Sequence, residues 1–150
     1  MKLKYLYGWW VGKKATFVNS FDDNEQLRAQ AETFWKNLEG GTLFYIIAFI
    51  AVAALLAYLY FKPFNEMPGR HFRPRYWGIF GLIAMAVSFG LTLLIAYLSA
   101  PHSPKGYLHI ELMLSLANMV YTGLTYFIVM SLLFWNNVFG KTNAYKLIKL

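Results

Sequence analysis

Three long runs with no acidic or basic side chain, residues 42–61, 76–100 and 112–139, constrain this chain more than anything else in it. At ~1.5 Å of rise per residue, each is long enough as a helix to cross the ~30 Å hydrocarbon core of a bilayer. A chain of 150 residues has no soluble core large enough to bury three such helices on every side. Its 58% hydrophobic content is in surplus and its charge, 14% of residues, lies outside the runs. The expected fold is an all-α integral membrane protein of three transmembrane helices, preceded by an amphipathic interfacial helix. The surplus apolar surface then faces lipid.

Residues 1–41 read as the N-terminal interfacial segment. Their first half interleaves lysines with Tyr5, Tyr7, Trp9, Trp10, Phe17 and Phe21. RNA-binding modules display such residues on a folded platform, for which there is little room here, so headgroups are the expected partner and no nucleic acid is expected. Gly8 and Gly12 oppose one continuous helix. The early lysines, glycines and tryptophans interrupt any apolar stretch of signal-peptide type, and the first span is expected to direct insertion. Ser20, Asp22, Asp23 and Asn24 then supply choices of N-cap. Behind them Leu27, Ala31, Phe34, Trp35 and Leu38 draw one apolar stripe on a helix of about residues 22–39, with Gly40 and Gly41 as its expected stop. That stripe suits a membrane surface, a partner, or the chain's own loops.

Within the spans, small residues mark where another helix comes close. Ala53 and Ala57 do so on the first, and Gly78, Gly81, Ala86 and Gly90 on the second. The connection between these two spans holds Pro63, Pro68 and Pro74, which deny it a helix, and Lys62, Arg70, Arg73 and Arg75 against one acid, Glu66. Those four cations are expected to dock anionic headgroups or a partner and to hold the loop inside. Seven Lys or Arg lie in this loop and the basic tail, residues 140–150, against three near the spans on the other side. The C-terminus is therefore expected in the cytoplasm, in a plasma or inner membrane. Counting Lys2, Lys4, Lys13 and Lys14 would bring the two sides level.

The third run differs in kind. Glu111, Ser115, Asn118, Thr122 and Thr125 recur at a period of 3.5 and share one face of a helix otherwise made of Leu, Met, Val, Tyr and Phe. A polar stripe at membrane depth must meet protein or water, so the face either joins helices or lines a pore. Glu111, at the edge, reads as a cap on the first helical turn, favoured by the helix dipole, or as a cation- or proton-binding carboxylate. His102, His109 and Glu111 have the wrong spacing to converge on a metal, since residues two apart diverge on a helix.

No cysteine, nucleotide loop, nucleophile elbow or paired intramembrane carboxylate is present. The expectation is a protein without catalysis, cofactor or metal, serving as an anchoring or structural subunit of a larger membrane assembly with other subunits or with itself. The alternative is a homo-oligomeric channel, such as a membrane-depolarising effector, because three helices alone are too few to enclose an aqueous path.

Overall fold

The computed structural model describes residues 5–21, 23–64, 67–68, 74–99 and 107–130, and these are all-helical, with no strand among them. Two short helices, α1 (Gly8–Val11) and α2 (Lys14–Asn19), precede three long ones: α3 (Glu25–Leu59), α4 (Pro74–Ser99) and α5 (Tyr107–Leu124). π-helical turns, Tyr60–Phe64 and Thr125–Met130, extend α3 and α5. Two of these helical stretches, Glu25–Phe64 and Arg75–Leu98, are long and apolar enough to cross a membrane.

Local chemistry sets the boundaries. Asn24 caps α3, its Oδ1 accepting the backbone N–H groups of Gln26 at 2.9 Å and Leu27 at 3.3 Å, two of the donors a helix start leaves free. Pro74 opens α4 at the one turn where a missing N–H costs nothing. Between α1 and α2, Gly12 holds φ at +76°, a conformation that side-chain-bearing residues rarely adopt.

Two expectations require correction. The helix does not stop at Gly40 and Gly41, and among the described residues no separate amphipathic interfacial helix ends there; α3 runs unbroken for 35 residues. Neither glycine takes the positive φ of a helix C-cap. Within an apolar run, breaking the hydrogen-bond ladder costs more than the ~1 kcal/mol of a helical glycine. Gly41 also leaves room for the fully buried Tyr45, whose ring atoms would lie 3.2–3.3 Å from a Cβ at that position. The third helix begins at Tyr107, five residues before the expected start, so Glu111 lies beyond its first turn and does not cap it.

The chain divides into two compact units, Met1–Ala48 with Phe89–Asn118, and Phe49–Ser88 with Met119–Leu150. In the first, the apolar stripe of α3 is covered by the chain itself. Ala31, Phe34, Trp35 and Leu38 are buried. The Phe34 ring stacks on Tyr107 at 4.4 Å, and Phe17 of α2 lies 5.5–5.8 Å from Phe34, Trp35 and Tyr107. Glu25, Arg28, Glu32 and Lys36 remain exposed off the stripe. In the second unit, Val52, Ala53 and Ala57 of α3 pack with Tyr60, Phe61, Ala84 of α4 and Tyr126. Tyr126 Oη donates to the Trp77 carbonyl at 3.1 Å.

Helix α4 shows how the side chains are distributed. Among its fully buried side chains are Ala84, Ser88, Thr92 and Ala96, four apart, whereas Leu82, Ile83, Val87, Leu91, Leu94 and Leu98 are exposed. A helix of a water-soluble domain has the opposite polarity. Small and hydroxyl-bearing groups face inward here, and the large aliphatic ones face outward.

Candidate functional site

Asn118 is the centre of a buried polar cluster in the first unit. It lies a little over three turns into α5, at a position with no solvent access. Its Oδ1 accepts the Tyr7 phenol at 2.6 Å. Its Nδ2 donates to Thr92 Oγ1 on α4 at 2.8 Å and to the Tyr45 carbonyl on α3 at 3.2 Å. One amide thereby ties the N-terminal segment and three long helices together. The site is built from the only side chain in α5 that offers two donors and an acceptor at once. Away from water each of these groups needs a partner, and each has one.

The neighbours on the same face behave alike. Ser115 Oγ donates to the Glu111 carbonyl at 2.7 Å, the backward bond that lets serine reside inside a helix. In the second unit, Thr122 Oγ1 donates to Ser88 Oγ on α4 at 2.6 Å. Thr125 is half-buried and opens the π-helical turn. Thus Ser115, Asn118 and Thr122 direct their polar atoms to the chain's own helices. Sequence reasoning did not single out the partners Tyr7, Ser88 and Thr92. Ser88 and Thr92, hydroxyls four apart in an otherwise apolar run, carry a readable signal; Tyr7 carries none, since aromatic residues crowd its segment.

Glu111 is 3% exposed. Among the described residues no cation offsets its burial, which pushes the carboxyl above the usual carboxylate range. Burial likewise raises the phenol of Tyr107, one turn earlier, whose Oη has no hydrogen-bond partner among the described residues. The folded protein therefore holds a proton on Glu111 at pH values where the unfolded chain has released it. Stability is full below the unfolded value of ~4.3 and is lost as pH rises through the higher folded value. Glu111→Gln is expected to raise the unfolding midpoint at pH 7, leave it near the parent's at pH 4, and flatten the pH profile between. Thermal unfolding in detergent across that range measures it, and a midpoint lowered at pH 7 would refute it.

Other expected sites separate. Ala53 and Ala57 are buried, and Gly81 lies directly against the edge of the Phe127 ring. Ala86 and Gly90 are exposed, and a Cβ at Gly78 or Gly90 would meet nothing within 4 Å. Within the chain, close packing therefore falls to Gly81 and not to the Ala86 and Gly90 strip. The reason is helical phase: residues 86 and 90 share the outward face with Ile83 and Leu94. Gly123, not singled out from the sequence, faces Met85, whose Sδ would lie 3.0 Å from an added Cβ.

Lys62 and Arg75 are exposed and lean on aromatic rings, Lys62 Nζ 6.0 Å from that of Tyr58 and the Arg75 guanidinium 4.8 Å from that of Tyr76. Arg70, Arg73 and His102, like residues 131–139 and the basic tail, lie outside the described residues. His109 is exposed whereas Glu111 is buried, so the two do not share a site.

Comparison with protein-family models, with curated proteins and with solved structures finds no match for this chain.

Proposed function

We propose that this chain is a non-enzymatic integral membrane protein of three spans, C-terminus in the cytoplasm, that serves as a structural or anchoring subunit of a larger membrane assembly. The observation that carries the reading is the polarity of its helices. Leu43, Phe44 and Ile47 on α3, Leu82 and Leu94 on α4, and Leu124 on α5 are all more than half exposed, while Ser88, Thr92, Ser115, Asn118 and Thr122 are buried. In water each outward side chain would forgo ~1.5–3 kcal/mol of burial, whereas against acyl chains it is matched. The polar face that a channel would need to turn toward water is bonded within the chain instead, which favours a subunit over a pore.

The outward strip at Ala86 and Gly90 supports contact with another membrane helix, because small residues let two backbones approach closely where lipid offers no hydrophobic drive. Mass measurement after purification in mild detergent tests this. The parent is expected to run as a defined complex with other chains or with itself, and Gly90→Leu, which meets open space within its own chain, to release a folded single chain. A parent that is a single chain in native lipid nanodiscs, with nothing co-purified, refutes the subunit reading. Cation conductance from the reconstituted parent would replace it with the channel.

A further inference from the structure

We infer that residues 5–11 form a re-entrant element, which dips into the bilayer beside α5 and presents Trp9 to lipid acyl chains. The inference rests on the proposal that α3, α4 and α5 cross the membrane. Asn118 lies six residues inside the third uncharged run, a depth of ~9 Å, and Tyr45 three residues inside the first. Tyr7 reaches both. It is fully buried, its phenol donates to Asn118 at 2.6 Å, and its ring meets Tyr45 edge-on at 6.5 Å.

Phe17, ten residues later, packs on Phe34, Trp35 and Tyr107, all of which precede the uncharged runs. From Tyr45 back to Phe34 is eleven residues of one helix, ~16 Å. Between Tyr7 and Phe17 the chain therefore climbs from membrane depth to the extramembrane part of α3. Part of its backbone is paired within the turn, as polar groups at such depth require. The N–H groups of Trp10 and Val11 donate to the Tyr7 carbonyl at 2.9 Å, and that of Gly12 to Gly8 at 3.1 Å.

The side chains sort accordingly. Tyr7 and Val11 face the protein, while Trp9 is 97% exposed. A bare indole at the level of Asn118 has acyl chains as its surroundings. Lys13 and Lys14, both exposed, follow Gly12 where the chain turns back toward headgroups, and their long stems carry the ammonium groups outward.

Because the chain has no cysteine, single thiols report its surroundings without interference. Trp9→Cys, Thr16→Cys and Leu55→Cys are made in proteoliposomes and treated with a charged, impermeant maleimide on both faces. Thr16→Cys is expected to label, and the other two about tenfold or more slowly, since a thiol pKa raised by even ~1 unit in hydrocarbon removes nine-tenths of the reactive thiolate. All three should label after dissolution in denaturing detergent. A spin label at position 9 should then be reached by oxygen and not by a nickel chelate, the signature of lipid. If Leu55→Cys labels like Thr16→Cys, the crossing of α3 fails and the inference with it. If Leu55→Cys is protected while Trp9→Cys labels, only the re-entrant element fails. Exclusion of both oxygen and nickel at position 9 means that protein covers it, which also overturns the inference.

Discussion

Asn118→Leu is expected to cost about 3 kcal/mol of folding stability, although leucine has the same branched side-chain skeleton as asparagine. Three bonds are lost: from Tyr7, to Thr92 and to the Tyr45 carbonyl. Interhelical hydrogen bonds in membranes are worth ~0.6 kcal/mol on average and ~1.7 at most, so their sum covers only part of the cost. The rest comes from what is stranded. Thr92 can turn to its own helix and bond the carbonyl four residues back, and the Tyr45 carbonyl belongs to a helical ladder. The Tyr7 phenol is fully buried and loses the acceptor it donates to, a penalty of ~1–3 kcal/mol. Tyr7→Phe should accordingly be far milder alone, and in the Asn118→Leu background it should restore part of the loss, a non-additivity that a double-mutant cycle reads directly. Thr122→Val should cost about 1 kcal/mol, because Ser88 retains a local carbonyl. Reversible unfolding in mixed micelles with increasing denaturing detergent gives all four numbers. An Asn118→Leu variant as stable as the parent would mean that the cluster does not hold the helices together.

The sequence makes legible those features that depend on one helix at a time. The uncharged runs, the cap at Asn24 and the 3.5-residue stripe all follow from local periodicity, and the helices carry them. Gly40 and Gly41 misled because glycine's helix cost is local, whereas the continuity of α3 is set by an apolar run with no other use for its backbone groups. Which glycine touches another helix is likewise not local. Gly81 and Gly90 are glycines of the same apolar run, and only the phase of α4 against its neighbours puts one against a ring edge and the other on the outer surface. Tyr7 is the furthest case, 111 residues from the amide it bonds. The polar stripe announced that Asn118 needed partners. Nothing in the order of residues said that one would come from the N-terminal segment.

Gly81→Leu should be the most disruptive change in the second unit, at about 3 kcal/mol or more. A Cβ on Gly81 would fall 2.9 Å from Cε2 of Phe127 and closer still to the rest of that ring edge, where real Cβ atoms essentially never sit. The ring cannot swing aside cheaply. It is held edge-on by Trp77 at 4.9 Å and by Tyr126 at 5.1 Å, and Tyr126 is itself fixed by its bond to the Trp77 carbonyl. Any escape must therefore displace α4 from the π-helical turn beyond α5. Phe127→Ala, costly by itself, should rescue much of Gly81→Ala, because it removes the atoms that the new methyl meets. The other glycines set the scale. Gly123→Ala meets the Met85 thioether, a flexible chain able to yield by a few tenths of an ångström, and should cost under ~1 kcal/mol. Gly90→Leu meets open space and should leave the single chain's stability unchanged. If unfolding in mixed micelles returned the same loss at all three positions, glycine would be acting through helix propensity. A steep order, Gly81 far above Gly123 and Gly123 above Gly90, places the effect in steric fit and makes position 90 the clean probe for a neighbouring chain.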